Sequence, residues 1–324
     1  MRRFAKYGAL FLVVLLGFAF ALDWAVTSGL RRSESFEYAE WNAIVNGEAS
    51  AEIIIHGSSR SWVGLSPEII GRQLDMTAYN LGVDGYPLAM QLARHRLYQK
   101  YNEDPRIILL CLDTYSLNDR ADLYNNNQFL PYLDEEIIRD AVQPYDYFHW
   151  YDYSLPLVRY RGKVELIGRG LAELLNVKHH TNGKIRGYEA QEREWNDEFD
   201  RWLEQHPDGV DQVYLERLVS ELDGFLAECG RDGIMVVLIY PPEFWQARDM
   251  VNNREEILSI YRDLAVKHQV QFLDYSYDAM AYSTEYFYNS QHLNKLGAEM
   301  FSAKLGGDLD DLLNPGGGEA AESR

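Results

Sequence analysis

Short apolar runs alternate with amphipathic segments over much of the chain. Three runs have the length and composition of buried strands, at 51–57, 106–112 and 234–240, and weaker ones lie at 77–82 and 270–273. Segments with helical spacing of their apolar residues predict helices over 67–75, 87–101, 213–229, 252–268 and 293–305. This alternation predicts an α/β fold with a central, mostly parallel sheet that is covered on both faces.

The alternation breaks between 113 and about 212, where the chain is rich in Tyr, Trp, Asp and Arg and has no strong strand pattern. We interpret this stretch as a helical or irregular insertion over the strand ends. Because open α/β sheets bind ligands at the carboxyl ends of their strands, the insertion is a lid or substrate wall on one interpretation. It is a structural cap on the other.

The first residues predict a membrane segment. Three basic residues, Arg2, Arg3 and Lys6, precede an almost uncharged run from Tyr7 to Leu22, and this favours a cytoplasmic N-terminus. We favour an uncleaved signal anchor. The alternative is a signal peptide cleaved at the small residues of Ala19-Phe20-Ala21. Either way, the bulk of the chain lies outside the cytoplasm.

The predicted organisation has four parts. They are a signal anchor at 1–28, a juxtamembrane segment at 29–50, a domain at 51–306 with the insertion at about 113–212, and a flexible tail at 307–324.

Composition narrows the function classes. The 324 residues are 47% hydrophobic, enough for a sizeable core, and the formal net charge of −19 argues against binding nucleic acid. Aromatic residues make up 13%, which suits packing and also carbohydrate stacking. The two cysteines, Cys111 and Cys229, have no zinc-site spacing and do not define a compartment.

A Gly57-Ser58-Ser59 triplet follows the first predicted strand. Glycine permits a tight turn there, and a helix after it turns backbone N–H groups towards a developing anion, so a serine in this position suits a nucleophile. Such triplets also occur in ordinary turns. Of the eight histidines, His292 lies in a loop before the last predicted helix, from which its ring can approach the strand ends. His56 adjoins the serines, but neighbouring strand residues point to opposite faces, and it could merely pack.

The triplet and the distant Asn289-x-x-His292-Leu293-Asn294-x-x-Gly297 together resemble the SGNH (GDSL-type) hydrolase superfamily. That family has Gly-Asp-Ser after its first strand and Asp-x-x-His before its last helix. The resemblance covers residues from about 50–115 and 230–306. Within the family, the chain is most similar to membrane-anchored extracytoplasmic members, among them accessory proteins of D-alanine or acetyl transfer onto cell-envelope polymers. This resemblance implies a three-layer α/β sandwich.

The resemblance implies a role for each matching residue. Ser59 matches the nucleophile and His292 the base, while Ser58 replaces the family aspartate; Ser58 as the nucleophile is the alternative. The segment Asn80-Leu81-Gly82-Val83-Asp84-Gly85 matches the second block, which makes the Gly85 N–H an oxyanion donor together with that of Ser59.

Two positions depart from the family pattern. Asn289 stands where the family has an aspartate, and an asparagine can orient a histidine without supplying charge. The acids that could substitute are Asp274, Asp278 and Glu285. The third-block asparagine is also missing. Thr114 falls nearest by count, and the alternatives are Tyr115 and Asn118.

The chemistry that the resemblance implies is acyl transfer through a Ser–His site, which needs no metal or cofactor. We expect an extracytoplasmic serine esterase or O-acyltransferase that acts on acyl esters, with acetyl as the family's usual group, of cell-envelope polysaccharide on the periplasmic or cell-surface side. Its expected partners are the acylated polymer, the membrane and a membrane-bound O-acyltransferase. The alternative function is a weak or inactive SGNH-like module that binds glycan or scaffolds such an acyltransferase.

Overall fold

The computed structural model describes residues 1–35, 38–177 and 183–315. Contacts within the chain divide it into two compact units. The first unit combines Met1–Asn46 with Ala121–Asn182, and the second combines Gly47–Arg120 with Gly183–Arg324. Each unit is therefore built from two separate stretches of sequence.

Helices and strands alternate through the second unit, whereas the described part of the first unit contains helices only. In chain order the elements are α1 (Arg2–Leu30), α2 (Ala39–Val45), β1 (Ile53–His56), α3 (Ser59–Gly64), α4 (Pro67–Leu74), β2 (Ala78–Asn80), α5 (Leu88–Tyr101), β3 (Ile107–Cys111), α6 (Glu136–Val142), α7 (Trp150–Ser154), α8 (Val164–Leu174), α9 (Glu198–Gln205), α10 (Glu216–Asp232), β4 (Met235–Tyr240), α11 (Trp245–Asp249), α12 (Arg254–His268), β5 (Gln271–Asp274) and α13 (Lys295–Leu313).

The five strands form one parallel sheet in the order β2-β1-β3-β4-β5. In its register Ile53 of β1 lies opposite Ala78 on one side and Ile107 on the other. The predicted α/β fold with a central parallel sheet is confirmed. All five carboxyl ends lie at one edge of the sheet, where side chains that follow different strands can meet.

Alternate side chains of each strand pack into two separate cores. Ile108 and Leu110 of β3 face one core, which contains residues of α5, α10 and α12. Leu109 and Cys111 face the other core, which contains residues of α4 and α13. The unit therefore has three layers, helices on both faces of a sheet whose central strands are apolar throughout. Both cysteines are free and buried, one in each core.

Helix α13 is longer than its sequence pattern indicated. It continues past the predicted end at 305 to Leu313, because Leu305 and Leu309 remain buried against the sheet. The start of the predicted tail is thus helical, and its residues 316–324 lie outside the described ranges.

The predicted insertion contains helices and short 3-10 turns, and no strand among its described residues. Residues 121–182 belong to the first unit, and 183–212 belong to the second with the sheet. The domain boundaries at 28, 50 and 306 stay predictions.

In the first unit, α1 crosses α8 where both helices carry glycine. A Cβ on Gly29 would collide with the carbonyl of Gly170, so the two backbones touch there. Asp23 of α1 also pairs with Arg159 at 2.5 Å. The apolar residues of α1 from Leu10 to Phe20 are largely exposed. Among the described residues, α1 is the one helix long and apolar enough to cross a membrane or serve as a signal sequence.

Candidate active site

The turn from β1 into α3 presents Ser59 at the carboxyl edge of the sheet. Gly57 has φ +154°, and a Cβ there would lie 2.6 Å from Ser61 Oγ and 2.8 Å from Cys111 Cβ, so the turn requires glycine. Ser58 caps the helix by accepting a hydrogen bond from the Arg60 N–H at 3.3 Å. Ser59 is then the first residue of α3, with 8% of its surface exposed.

His292 reaches this serine from the loop before α13. Ser59 Oγ lies 2.7 Å from His292 Nε2, a hydrogen bond between residues 233 positions apart. Phe287 and Leu293 form an antiparallel bridge that closes the loop, and the ring of Tyr288 stacks on that of His292 at 5.4 Å. These contacts hold the imidazole where it meets Ser59.

Asn289 determines the tautomer of His292. Its Oδ1 accepts hydrogen bonds from two backbone N–H groups, those of Gln291 at 3.1 Å and His292 at 2.9 Å, which identifies this atom as the oxygen of the amide. The same oxygen lies 2.9 Å from His292 Nδ1, and an oxygen without hydrogen can only accept there. Nδ1 therefore carries the proton, and Nε2 presents a lone pair to the Ser59 hydroxyl.

The surroundings keep His292 neutral. Burial lowers its pKa to about 4, and the positive charges of Arg60 and Arg193 act in the same direction. A neutral imidazole is the form that can accept a proton, so the ring is competent as a base at any pH above this range.

A buried ion pair lies behind the serine. Arg60 Nη1 donates to Asp113 Oδ1 at 2.7 Å, and these side chains are 3% and 1% exposed. Ser58 Oγ donates to the other carboxylate oxygen of Asp113 at 2.6 Å. Tyr115 Oη in turn donates to Ser58 Oγ at 2.8 Å. The carboxylate at the end of β3 thus holds both neighbours of Ser59.

The loop after β4 completes the environment of Arg60. Its Nη2 donates to the carbonyls of Pro241 and Pro242 at 2.5 and 3.0 Å, and its guanidinium lies 5.1 Å from the ring of Tyr240. Burial by itself would lower the pKa of Arg60, but the carboxylates of Asp113 and Glu243 more than offset it and raise that pKa above its usual range. The arginine is therefore a permanent buried cation that joins three strand ends.

Besides Ser59, the resemblance names Gly85 and Thr114 as oxyanion donors, and each lies in a turn that follows a strand. Gly85 follows β2 with a left-handed φ of +72°. The Gly82 N–H donates instead to Asn80 Oδ1 at 2.9 Å, and a Cβ on Gly82 would meet Ser61 Oγ and Trp62 N, so packing accounts for this second glycine. Thr114 is 6% exposed and lines a cavity with Asn289.

Several of the alternative residues have other hydrogen-bond partners. Ser58 Oγ is hydrogen-bonded to Asp113 and Tyr115, and Asn118 Oδ1 accepts from the Asp119 N–H. Two of the three acids offered as substitutes for the missing aspartate have local partners: Asp274 accepts from Ser276, and Asp278 caps a 3-10 turn. His56 Nε2 lies 3.0 Å from His95 Nδ1 in the interior, a packing role.

Sequence reasoning missed three charged residues of this environment, Arg60, Asp113 and Glu243. Each directly follows, or lies within three residues of, a buried strand or the serine pair. A charge at the end of a buried parallel strand was the available signal. Among the described residues, no group of His, Cys, Asp and Glu has the arrangement of a metal site.

We predict that Asp113→Ala destabilises the fold by about 3–5 kcal/mol, because it leaves the buried Arg60 cation without its carboxylate. Urea unfolding of the variant and the parent protein measures this difference. Asp119→Ala is the matched control, since its ion pair with Arg217 is half exposed and is worth about 1 kcal/mol or less. An equal loss of unfolding free energy in the two variants would show that the buried ion pair stabilises the fold no more than an exposed one does.

A second prediction concerns pH. In the parent protein, kcat/KM for an ester should fall only as the pH drops through about 4, because protonation of His292 removes the base. Asn289→Asp keeps the acceptor oxygen and adds a negative charge beside the ring, which favours the imidazolium. We therefore expect the acid limb to move to higher pH and the plateau of kcat to rise by about tenfold or more.

The pH profile of p-nitrophenyl acetate hydrolysis checks this prediction. Asn314→Asp makes the same charge change just beyond the far end of α13 and should leave the profile in place. A limb near 6.5 in the parent protein, or a downward shift in Asn289→Asp, would contradict the argument.

No protein-family model matches the chain, and no curated protein matches its sequence. Solved structures do resemble it at low similarity. A protein from Streptococcus pneumonia, provisionally named a platelet activating factor, is 14% identical with a TM-score of 0.44, over 93% of this chain and 99% of that one. A GDSL-like lipase from Bacteroides thetaiotaomicron is 9% identical with a TM-score of 0.37, over 83% and 98%.

A protein from Bacteroides fragilis, provisionally named an acylhydrolase, is 11% identical with a TM-score of 0.36, over 79% of this chain and 86% of that one. Because these similarities are low, a functional assignment has to rest on the side chains at the carboxyl edge of the sheet.

Proposed function

We propose that this protein is a serine ester hydrolase or O-acyltransferase with Ser59 as nucleophile, His292 as base and Asn289 as the residue that orients the base. The observation that carries the proposal is the chain of two hydrogen bonds from Ser59 Oγ to His292 Nε2 at 2.7 Å and from His292 Nδ1 to Asn289 Oδ1 at 2.9 Å. A nucleophile bonded to a base that a third group orients is the arrangement that acyl transfer requires.

The reaction begins when Nε2 of His292 takes the proton of Ser59 and Oγ attacks the carbonyl carbon of the ester. The tetrahedral intermediate collapses as the C–O bond to the alcohol breaks and the imidazolium returns the proton to that oxygen. The acyl-serine is then attacked by water, which makes an esterase, or by a sugar or polyol hydroxyl, which makes a transferase. His292 accepts the proton of this second nucleophile and hands it back to Ser59.

The negative charge on the oxygen of the tetrahedral intermediate must be stabilised by hydrogen-bond donors. We assign the backbone N–H groups of Ser59 and Gly85 to this role, with the Thr114 hydroxyl as the third donor where the family has an asparagine. Ser59 is suited to it because the first N–H groups of a helix lack intrahelical partners. Removal of one such donor costs a factor of about 10²–10³ in rate, so the proposed turnover depends on the Thr114 hydroxyl as well as on the two backbone groups.

The proposed substrate is an acyl ester, with acetyl as the expected group, on a polysaccharide of the cell envelope. The family resemblance of the Gly57-Ser58-Ser59 and Asn289-x-x-His292 blocks supports it. A membrane-bound O-acyltransferase is the proposed partner on the extracytoplasmic side, as for the anchored members that the chain resembles.

We further propose that α1 is an uncleaved anchor. The helix runs unbroken through Ala19-Phe20-Ala21, and its last turns are buried in the first unit at Val26, Gly29 and Leu30. Cleavage after Ala21 would cut inside this helix. Mass spectrometry of the protein from membranes should therefore find peptides that precede Leu22, and a mature chain that begins near Leu22 would refute the anchor.

We predict that Ser59→Ala and His292→Ala each lower kcat for p-nitrophenyl acetate by about 10³-fold or more, since serine and base act as a unit. A fluorophosphonate should label the parent protein at Ser59 and leave Ser59→Ala unlabelled. Ser220→Ala, an exposed serine of α10, is the matched control and should keep full activity. Labelling at Ser58 would transfer the nucleophile role to that residue.

A non-catalytic module that binds glycan or scaffolds an acyltransferase is the second candidate. The neutral Asn289 and the missing third-block asparagine favour it, because both reduce stabilisation of charge in the transition state. Identical turnover by the parent protein, Ser59→Ala and His292→Ala would establish this candidate over the enzyme.

A further inference from the structure

A cavity of about 310 Å³ adjoins the loop that carries His292. Asn289 and Gln291 of that loop line it, together with Glu243 after β4 and with Glu198, Phe199 and Trp202 of α9. Its size is at the small end of ligand pockets, which span roughly 300–1,000 Å³, and it suits a compact ligand rather than a long chain.

We propose that this cavity binds a neutral sugar residue of the acylated substrate, next to the ester that Ser59 attacks. The proposal rests on the proposed function and names the part of the substrate that the enzyme recognises. A sugar residue presents apolar C–H faces and a rim of hydroxyls, so a site for it needs both an apolar wall and polar groups of mixed donor and acceptor character.

The apolar wall comes from α9. Phe199 and Trp202 stack with ring centroids 5.9 Å apart, and Trp202 also stacks on His206 at 4.5 Å. Phe244 connects this wall to the loop that carries His292. Its ring lies 6.1 Å from that of Phe199, and its backbone N–H donates to the Ser290 carbonyl at 2.9 Å. A wall held in this way is in place before a ligand arrives, which reduces the ordering cost of binding.

The polar groups come from the other side chains of the lining. The amides of Gln212 and Gln291 each offer donors and an acceptor, and the Thr114 oxygen adds an acceptor while its O–H serves the oxyanion. Sugar hydroxyls act as donor and acceptor at once, and mixed groups of this kind match them better than a single type of charge does.

The charges of the lining favour a neutral ligand. No arginine, lysine or histidine occurs among the described residues that line the cavity, so an anionic sugar would find no cationic partner there. A cation gains little either. Glu243 already accepts a hydrogen bond from Tyr240 Oη at 2.5 Å and lies 3.9 Å from Arg60, and Glu198 is exposed to screening solvent.

Position links the cavity to the chemistry. Gln291 directly precedes His292, and Asn289 contacts both the cavity and the ring nitrogen of His292. A sugar bound here would contact Asn289, the side chain that orients the His292 ring. Its contacts would therefore bring a neighbouring acyl ester to Ser59, and small esters without a sugar would lose this advantage.

The test compares two substrates, p-nitrophenyl acetate and an acetylated neutral xylo-oligosaccharide. Two variants perturb the cavity in different ways: Trp202→Ala removes part of the wall, and Ala247→Phe fills the space from α11. We expect both to lower the ratio of kcat/KM for the oligosaccharide to that for p-nitrophenyl acetate at least tenfold, chiefly through KM. Trp150→Ala, a tryptophan that is 70% exposed in the first unit, is the matched control and should leave the ratio unchanged.

An unchanged ratio in both variants would overturn the proposal. A binding measurement tests the sugar site independently of the proposed function. Ser59→Ala can be titrated with xylo-oligosaccharide by calorimetry whether or not the parent protein hydrolyses an ester. Binding that Ala247→Phe weakens tenfold supports the sugar site even if no ester is hydrolysed. Absence of binding, or tighter binding of choline or oligogalacturonate than of the neutral sugar, refutes it.

Discussion

The buried ion pair between Arg60 and Asp113 is the interaction on which the site depends. It joins the turn after β1 to the end of β3, and the carbonyls that Arg60 binds extend the link to the loop after β4. Two charges removed from water in this way are stable only while each keeps its partners. The same bonds that satisfy Arg60 and Asp113 also hold Ser58 and, between them, Ser59.

This support has an electrostatic consequence for the base. The Arg60 cation acts with burial to keep His292 neutral, and Asn289 orients the ring without adding the negative charge that an aspartate would supply. The arrangement keeps the ring in the form that can accept a proton, but it does little to stabilise the imidazolium that follows. For the proposed enzyme this predicts slow turnover over a wide pH range, and positioning by a bound sugar would compensate part of the loss in rate.

Much of the sheet unit was predictable from local pattern. β4 lies within the apolar run at 234–240, and α4 begins at Pro67 after the cap Ser66. Both could be predicted because strand burial and helix capping depend on residues that are neighbours in the sequence. The end of α13 was not predictable, since Leu309 is buried by packing against elements distant in sequence. Likewise Ser59 and His292 were proposed as site residues from two motifs, whereas Arg60 and Asp113 belong to neither motif.

By itself, then, the sequence determined the order of strands and helices, the apolar N-terminal helix and the serine and histidine, because each depends on residues close together in the chain. Only the tertiary structure decided that Asn289 accepts from Nδ1, that Ser58 is bonded to Asp113, and that a cavity lies between α9 and the loop that carries His292. The partners in these contacts come from different strand ends. Their meeting depends on how the parallel sheet is closed and covered, and that depends on the packing of the whole unit.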